Sequence, residues 1–281
     1  MTDAKLAGFE ERFAEARGVR MRYFVGGEGP PLVLIHGLAG NAENWVDLAP
    51  RLARGRRVLI PDLPGHGGSA PLPAAPNLDA YAERARLVAE REGLLPAVVV
   101  GHSLGGLVAL RLALRRPEDV SGLVLAAAAG IESTTRRAEF WVAVFSLTRP
   151  AKLVAPLRGL LGSRPRARRP VFNRWEVADP RSLSPEMVEG FLAGTRLHTD
   201  VVAAGRALVR DDPRLDLERV RCPCLVVWGA RDLQVPVDDA FEYARRLHAP
   251  LRTIADCGHL LIGERPDAVA DAIESFLAVD A

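Results

Sequence analysis

Lysine is almost missing from this chain. Of 37 basic residues in 281, two are lysines (Lys5 and Lys152) and the rest are arginines. Against 35 acidic residues the net charge is +2, which lacks the basic excess of a dedicated nucleic-acid binder. Cysteine is also scarce. Cys222, Cys224 and Cys257 are too few for a disulfide scaffold. A C-x-C pair with one distant cysteine lacks the spacing of a zinc site, so these residues read as small apolar fillers in or beside strands. No apolar run approaches the ~20 residues of a membrane span. The opening MTDAKLAGFEERF has neither the basic nor the apolar region of a signal peptide. A soluble cytoplasmic protein without a membrane span is therefore expected. No repeat of period ~20–50 residues is visible, which removes solenoids and propellers.

Short apolar runs are present instead, at 31–35, 57–60, 97–101, 122–127, 224–228 and 251–255. Most are rich in Val, Ile and Leu without polar alternation, the pattern of strands buried on both faces. Helical periodicity separates them, most clearly at 78–92, 104–116, 237–247 and 267–277. Strand–helix alternation predicts a mainly parallel sheet with helices on both sides. Residues 9–25 read as two leading strands before a turn at 26–29, although 9–17 also fits a helix. From 131 to 212 no buried-strand signal appears, and six prolines punctuate helical stretches. Ser184-Pro185-Glu186 is a helix start, with Ser as cap and Pro in the first turn. The expected organisation is a core of 1–130 and 213–281 with a helical cap at 131–212.

Gly101-His102-Ser103-Leu104-Gly105 is a G-x-S-x-G segment between an apolar run and a helix, the setting of a nucleophile elbow. A serine hydroxyl needs a base to take its proton. His259, just after the last strand, lies where ligand sites of open α/β sheets gather. Asp232 follows the strand before it and is the candidate orienting carboxylate, giving the chain order Ser, Asp, His. Asp62 reads as a structural turn residue, Asp256 as serving the loop around His259, and Glu132 as a weaker alternative acid. His248 reads as a surface residue and His198 as part of a solvated helix face, with pocket lining as its alternative. Backbone N–H donors at an oxyanion contribute ~3 kcal/mol each. Leu104 N–H and Leu38 N–H, the latter in His36-Gly37-Leu38-Ala39-Gly40, are the candidates. His36 reads as a brace for that loop rather than a base.

Together with Asp62-Leu63-Pro64-Gly65-His66-Gly67-Gly68-Ser69, Trp228-Gly229-Ala230-Arg231-Asp232 and Glu264-Arg265-Pro266, these segments resemble the α/β-hydrolase fold superfamily over nearly the whole chain. The resemblance implies an eight-stranded sheet with only the second strand antiparallel. It also implies a helical cap entering between strands six and seven, where 131–212 falls. Relatives that use Asp as nucleophile are set aside by Ser103. Those with Trp beside the nucleophile are set aside by Leu104. Leu260, where C–C hydrolases commonly carry Trp after the histidine, weakens that reading without removing it.

The expected function is hydrolysis of carboxylic esters of small, largely apolar substrates by Ser103, His259 and Asp232. His36, Gly37, His102 and Leu260 are candidate pocket residues. Phe140, Trp141, Phe145, Phe172, Trp175 and Phe191 are candidates for its roof or for the cap's own core. The same triad also serves C–C cleavage, lactone opening, thioester hydrolysis, acyl transfer or a slow-turnover small-molecule sensor. No metal, nucleotide or flavin is expected, because the glycine-rich segments lack phosphate-binding spacings. Charge is unevenly distributed. Arg149, Lys152, Arg158, Arg164, Arg166, Arg168, Arg169 and Arg174 lie between Phe140 and Trp175 without an acid. They read as solvated faces or as an attractor of an anionic ligand.

Overall fold

The computed structural model describes residues 6–74, 77–131, 155–169 and 171–279. Eight strands form one sheet: β1 Phe9–Ala16, β2 Val19–Gly26, β3 Pro31–Ile35, β4 Arg57–Pro61, β5 Ala97–His102, β6 Val120–Ala126, β7 Cys224–Gly229 and β8 Leu251–Ile254. Their spatial order is β1-β2-β4-β3-β5-β6-β7-β8. Only β2 runs antiparallel to its neighbours; every other pairing is parallel. Every residue of β5 is buried, as a Val-rich central strand covered on both faces requires. At the sheet edge β8 instead leaves Arg252 and Thr253 exposed. Residues 9–16 form a strand, not a helix. They pair in continuous register with β2, from Phe9 opposite Gly26 to Ala16 opposite Val19.

The helices are α1 Ala49–Leu52, α2 Leu78–Arg91, α3 Leu104–Arg115, α4 Arg158–Ser163, α5 Pro185–Leu197, α6 Val201–Arg210, α7 Val237–Leu247, α8 Leu261–Glu264 and α9 Pro266–Val279. Side-chain caps fix several starts. Asn77 Oδ1 accepts from Ala80 N–H, Ser184 Oγ from Met187 N–H and Asp200 Oδ1 from Ala203 N–H. Each satisfies one of the donors a helix start leaves without an internal partner.

Between β6 and β7 the described residues hold α4 to α6 with short 3-10 turns and no strand. Glu132, Phe140, Trp141, Phe145, Arg149 and Lys152 lie outside the described residues. Phe172 is fully buried, with its ring 5.3 Å from that of Phe191, so this pair forms interior of the insert. Trp175 is 50% exposed.

The arginine-rich run is not uniformly solvated. Arg164, Arg166 and Arg169 are exposed, but Arg168 is only 1% exposed. Its guanidinium donates to the carbonyls of Leu161, Gly162, Pro180 and Leu183. Sequence pattern could not distinguish it from its neighbours, because its partners are main-chain oxygens up to 15 residues away. Arg168 is thus a clamp that gathers four carbonyls around one planar cation, matching the fork geometry of guanidinium.

Arg168→Met should strip those carbonyls of their donor while keeping much of the stem volume. A buried acceptor left unpartnered costs about 1–3 kcal/mol, so a loss of at least ~2 kcal/mol is expected. Arg166→Met, at an exposed position, should stay within ~0.5 kcal/mol of the parent. Urea midpoints compare the two, and equal midpoints would contradict the clamp.

Candidate active site

Ser103 directly follows β5 and caps α3 with φ +53° and ψ −119°, a conformation that L side chains rarely adopt. The surrounding backbone over-determines it. Ser103 N–H donates to Ala126 O at 3.0 Å, while its carbonyl accepts from Gly106 N–H and Ala129 N–H. The flanking glycines are required by close approach. A Cβ on Gly101 would lie 2.2 Å from Gly105 O, and one on Gly105 would lie 2.2 Å from Ile35 O. Strained backbone held in this way clusters at functional sites.

His259 and Asp232 approach from the carboxyl ends of β8 and β7. His259 Nδ1 and Asp232 Oδ2 are 2.8 Å apart, and both side chains are buried. The other carboxylate oxygen accepts from Gln234 N–H and Val235 N–H, each at 2.8 Å. Asp232 is therefore fixed in rotation, and its bond to Nδ1 leaves Nε2 as the ring's free acceptor when the imidazole is neutral.

The third edge of the site is the loop after β3. Gly37 lies against Ser103, since a Cβ there would be 3.1 Å from Ser103 Cβ. Among the described residues, the N–H groups of Leu38 and Leu104 have no hydrogen-bond acceptor. His36 is fully buried behind this loop. Its Nε2 accepts from Leu63 N–H, so Nδ1 carries the proton donated to Gly37 O. Burial lowers its pKa to about 3, which keeps it neutral. His102 is held neutral by the same cause and donates from Nε2 to His259 O at 2.9 Å. Leu260, 7% exposed, donates its N–H to Glu176 O at 2.8 Å.

Several other histidines and acids have structural partners. His198 is buried, not on a solvated face. Its Nδ1 accepts from Gly67 N–H and its Nε2–H donates to Ala39 O, which ties the insert to two core loops. Asp62 accepts from Ala42 N–H and Gly68 N–H and pairs with Arg22. Asp256 pairs with Arg231 at the surface. His248 is an exposed, left-handed helix end. Among the described residues no cluster of three or more His, Cys, Asp or Glu could hold a metal ion, and no helix is long and apolar enough to cross a membrane.

A profile of the alpha/beta hydrolase family matches residues 32–272. The chain belongs to that family. Among curated relatives, it is 32% identical to the dihydrolipoyllysine-residue acetyltransferase component of the acetoin cleaving system of Pseudomonas putida, covering 94% of this chain and 68% of that protein. It is 34% identical to pimeloyl-[acyl-carrier protein] methyl ester esterase of Aromatoleum aromaticum (88% and 98% covered). It is 30% identical to 2-hydroxymuconate semialdehyde hydrolase of Pseudomonas sp. (94% and 92% covered).

Two further carboxylates, Glu264 and Glu176, lie near His259. Neither stands at a spacing that announces a role. Burial pushes the Glu176 carboxyl up to about 7, against the opposing pull of His259. A folded-state value above the unfolded one favours the protonated folded form. Its contribution to stability is therefore present at low pH and lost as pH rises from about 4.5 to about 7. Glu176→Gln removes this dependence. Between about pH 5 and about pH 8 the urea midpoint of the variant should fall less than that of the parent. Parallel midpoint–pH curves would refute it.

Proposed function

We propose that the chain is a serine hydrolase of carboxylic esters, with small and largely apolar substrates. The observation that carries this reading is the 2.8 Å pairing of Asp232 with His259 Nδ1 at the sheet edge that also presents the strained Ser103. Ser103 Oγ attacks the carbonyl carbon while His259 Nε2 takes its proton. Asp232 holds the ring in the tautomer with Nδ1 protonated and stabilises the imidazolium that forms. Leu38 N–H and Leu104 N–H receive the developing oxyanion. Collapse breaks the ester C–O bond, and the alcohol leaves with the proton from His259. A water molecule then attacks the acyl-enzyme with His259 again as base, releasing the acid and restoring Ser103.

In this proposal residues 131–212 form a cap over the site, and the reaction proceeds in solution without a metal or organic cofactor. The ester bond is supported by the similarity to the A. aromaticum esterase. The similarity to 2-hydroxymuconate semialdehyde hydrolase favours a second reading, C–C bond hydrolysis by the same three side chains. Leu260 beside the base, rather than tryptophan, argues against it.

Purified protein should hydrolyse short p-nitrophenyl esters, and Ser103→Ala should lower kcat by at least ~10³-fold. A fluorophosphonate probe should label the parent at Ser103 and leave the variant unlabelled. Turnover of a dienoic C–C substrate with no turnover across an ester-length series would reassign the bond. Ester turnover undiminished in Ser103→Ala would reject the mechanism.

A further inference from the structure

His259 is held by more than Asp232. Its own carbonyl accepts from His102 Nε2–H, and the peptide N–H groups on either side of it are both engaged. Leu260 N–H donates to Glu176 O at 2.8 Å. Gly258 N–H donates to Glu264 Oε1 at 2.9 Å. The other oxygen of Glu264 accepts from Ala178 N–H at 2.9 Å and Asp179 N–H at 3.3 Å. One carboxylate, 2% exposed, therefore joins the residue before His259 to two consecutive residues of the insert.

The fit around Gly258 is tight. A Cβ there would come within 2.7 Å of Ala178 N and 2.8 Å of Glu264 Oε1. The insert backbone thus lies directly on the histidine loop, with no room for a side chain between them. An ionised carboxylate is an acceptor only and can receive all three N–H groups at once. An amide of the same size has a single accepting atom and cannot do so.

We propose that Glu264 is a positioning residue for His259. Its carboxylate fixes the histidine loop to residues 178–179, so that the proton acceptor and the insert form one unit. The inference deepens the ester-hydrolase reading and rests on its assignment of His259 as the base. Its consequence is that the insert cannot swing about residues 176–179 without displacing His259.

Glu264→Gln is diagnostic. The amide keeps one acceptor oxygen but turns an NH₂ group towards either Gly258 N–H or the Ala178–Asp179 pair, so one side of the junction must open. Small displacements of a reacting group are costly, and kcat should fall ~10–100-fold with KM little changed. Loss of fold alone would not have this signature. Glu92→Gln provides the comparison, because Glu92 bonds Tyr23 and Arg12 outside the site.

A readout independent of turnover is the Nδ1 proton of His259, followed by NMR after selective ¹⁵N-histidine labelling. In Glu264→Gln it should exchange with water at least ~10-fold faster than in the parent, as loss of positioning predicts. In Glu92→Gln it should exchange as in the parent. Glu264→Asp, which keeps the charge but draws it back, should give an intermediate rate and carries the test if the Gln variant does not fold. Parental proton exchange and a parental kcat in a folded Glu264 variant would overturn the proposal while leaving the ester reading intact. If the parent neither turns over esters nor takes up phosphonate at Ser103, the ester reading fails. Proton exchange in the Glu264 variants then decides positioning alone.

Discussion

A single left-handed residue organises this protein. At Ser103 the chain must leave β5 and enter α3 with φ +53°, and the conformation is sustained only by what surrounds it. Gly101 and Gly105 are needed because the backbone crosses itself and β3 at distances that exclude a Cβ. The bonds of Ser103 with Ala126 O and Ala129 N–H are made at the end of β6 and in the loop that follows it. The elbow therefore depends on β3, β5 and β6 being parallel neighbours, so that their carboxyl ends open at one edge. Once that edge exists, the loops after β7 and β8 deliver Asp232 and His259 to it. The sheet thus sets residues 103, 232 and 259 just past the carboxyl ends of three parallel strands.

Around this edge, buried charge is handled in one recurring way. Asp62, Asp232 and Glu264 each accept two or three backbone N–H groups. A carboxylate taken out of water needs such donors, and the donors gain fixed positions in return. Arg168 is the converse, a buried cation holding four carbonyls. The histidines follow the opposite rule. His36, His66 and His102 are driven to about 3 by burial, so they act as neutral hydrogen-bonding wedges. These three histidines can therefore sit in the region without changing charge near neutral pH.

Which of these features were legible in the sequence follows from the range of the interactions. Strands announced themselves because central parallel strands are buried on both faces, and 97–101 can hardly be read otherwise. The elbow was legible because its requirements are local: glycines two residues to either side of a serine, after a strand and before a helix. Asp232 and His259 stand just past apolar runs, which is why their placement after β7 and β8 could be read, and the structure pairs them at 2.8 Å. Residues 9–16 were ambiguous because an edge strand alternates weakly, and only the register with β2 separates it from a helix. Arg168, His198, Glu176 and Glu264 were not legible in their roles. Each is defined by contacts with backbone or by burial, and backbone donors leave no mark on residue type. Arg168 is hidden among arginines that do face water. His198 sits at the end of an amphipathic helix where either face was plausible.

The same contacts change how the insert should be understood. At one end of the site, His198 bonds the carbonyl of Ala39 and the N–H of Gly67, while Thr199 and Asp200 bond Gly65. At the other, Glu176 and residues 178–179 meet the histidine loop directly or through Glu264. In the described part of the insert, residues 176–200 are thus attached at both flanks of Ser103, by main-chain groups on at least one side of each bond. Between these attachments α5 itself packs on the core: Met187, Val188 and Leu192 are fully buried, and a Cβ on Gly190 would lie 2.8 Å from Glu43 Cβ. Arg168 holds the insert from within, closing the turn between α4 and the start of α5 through main-chain carbonyls.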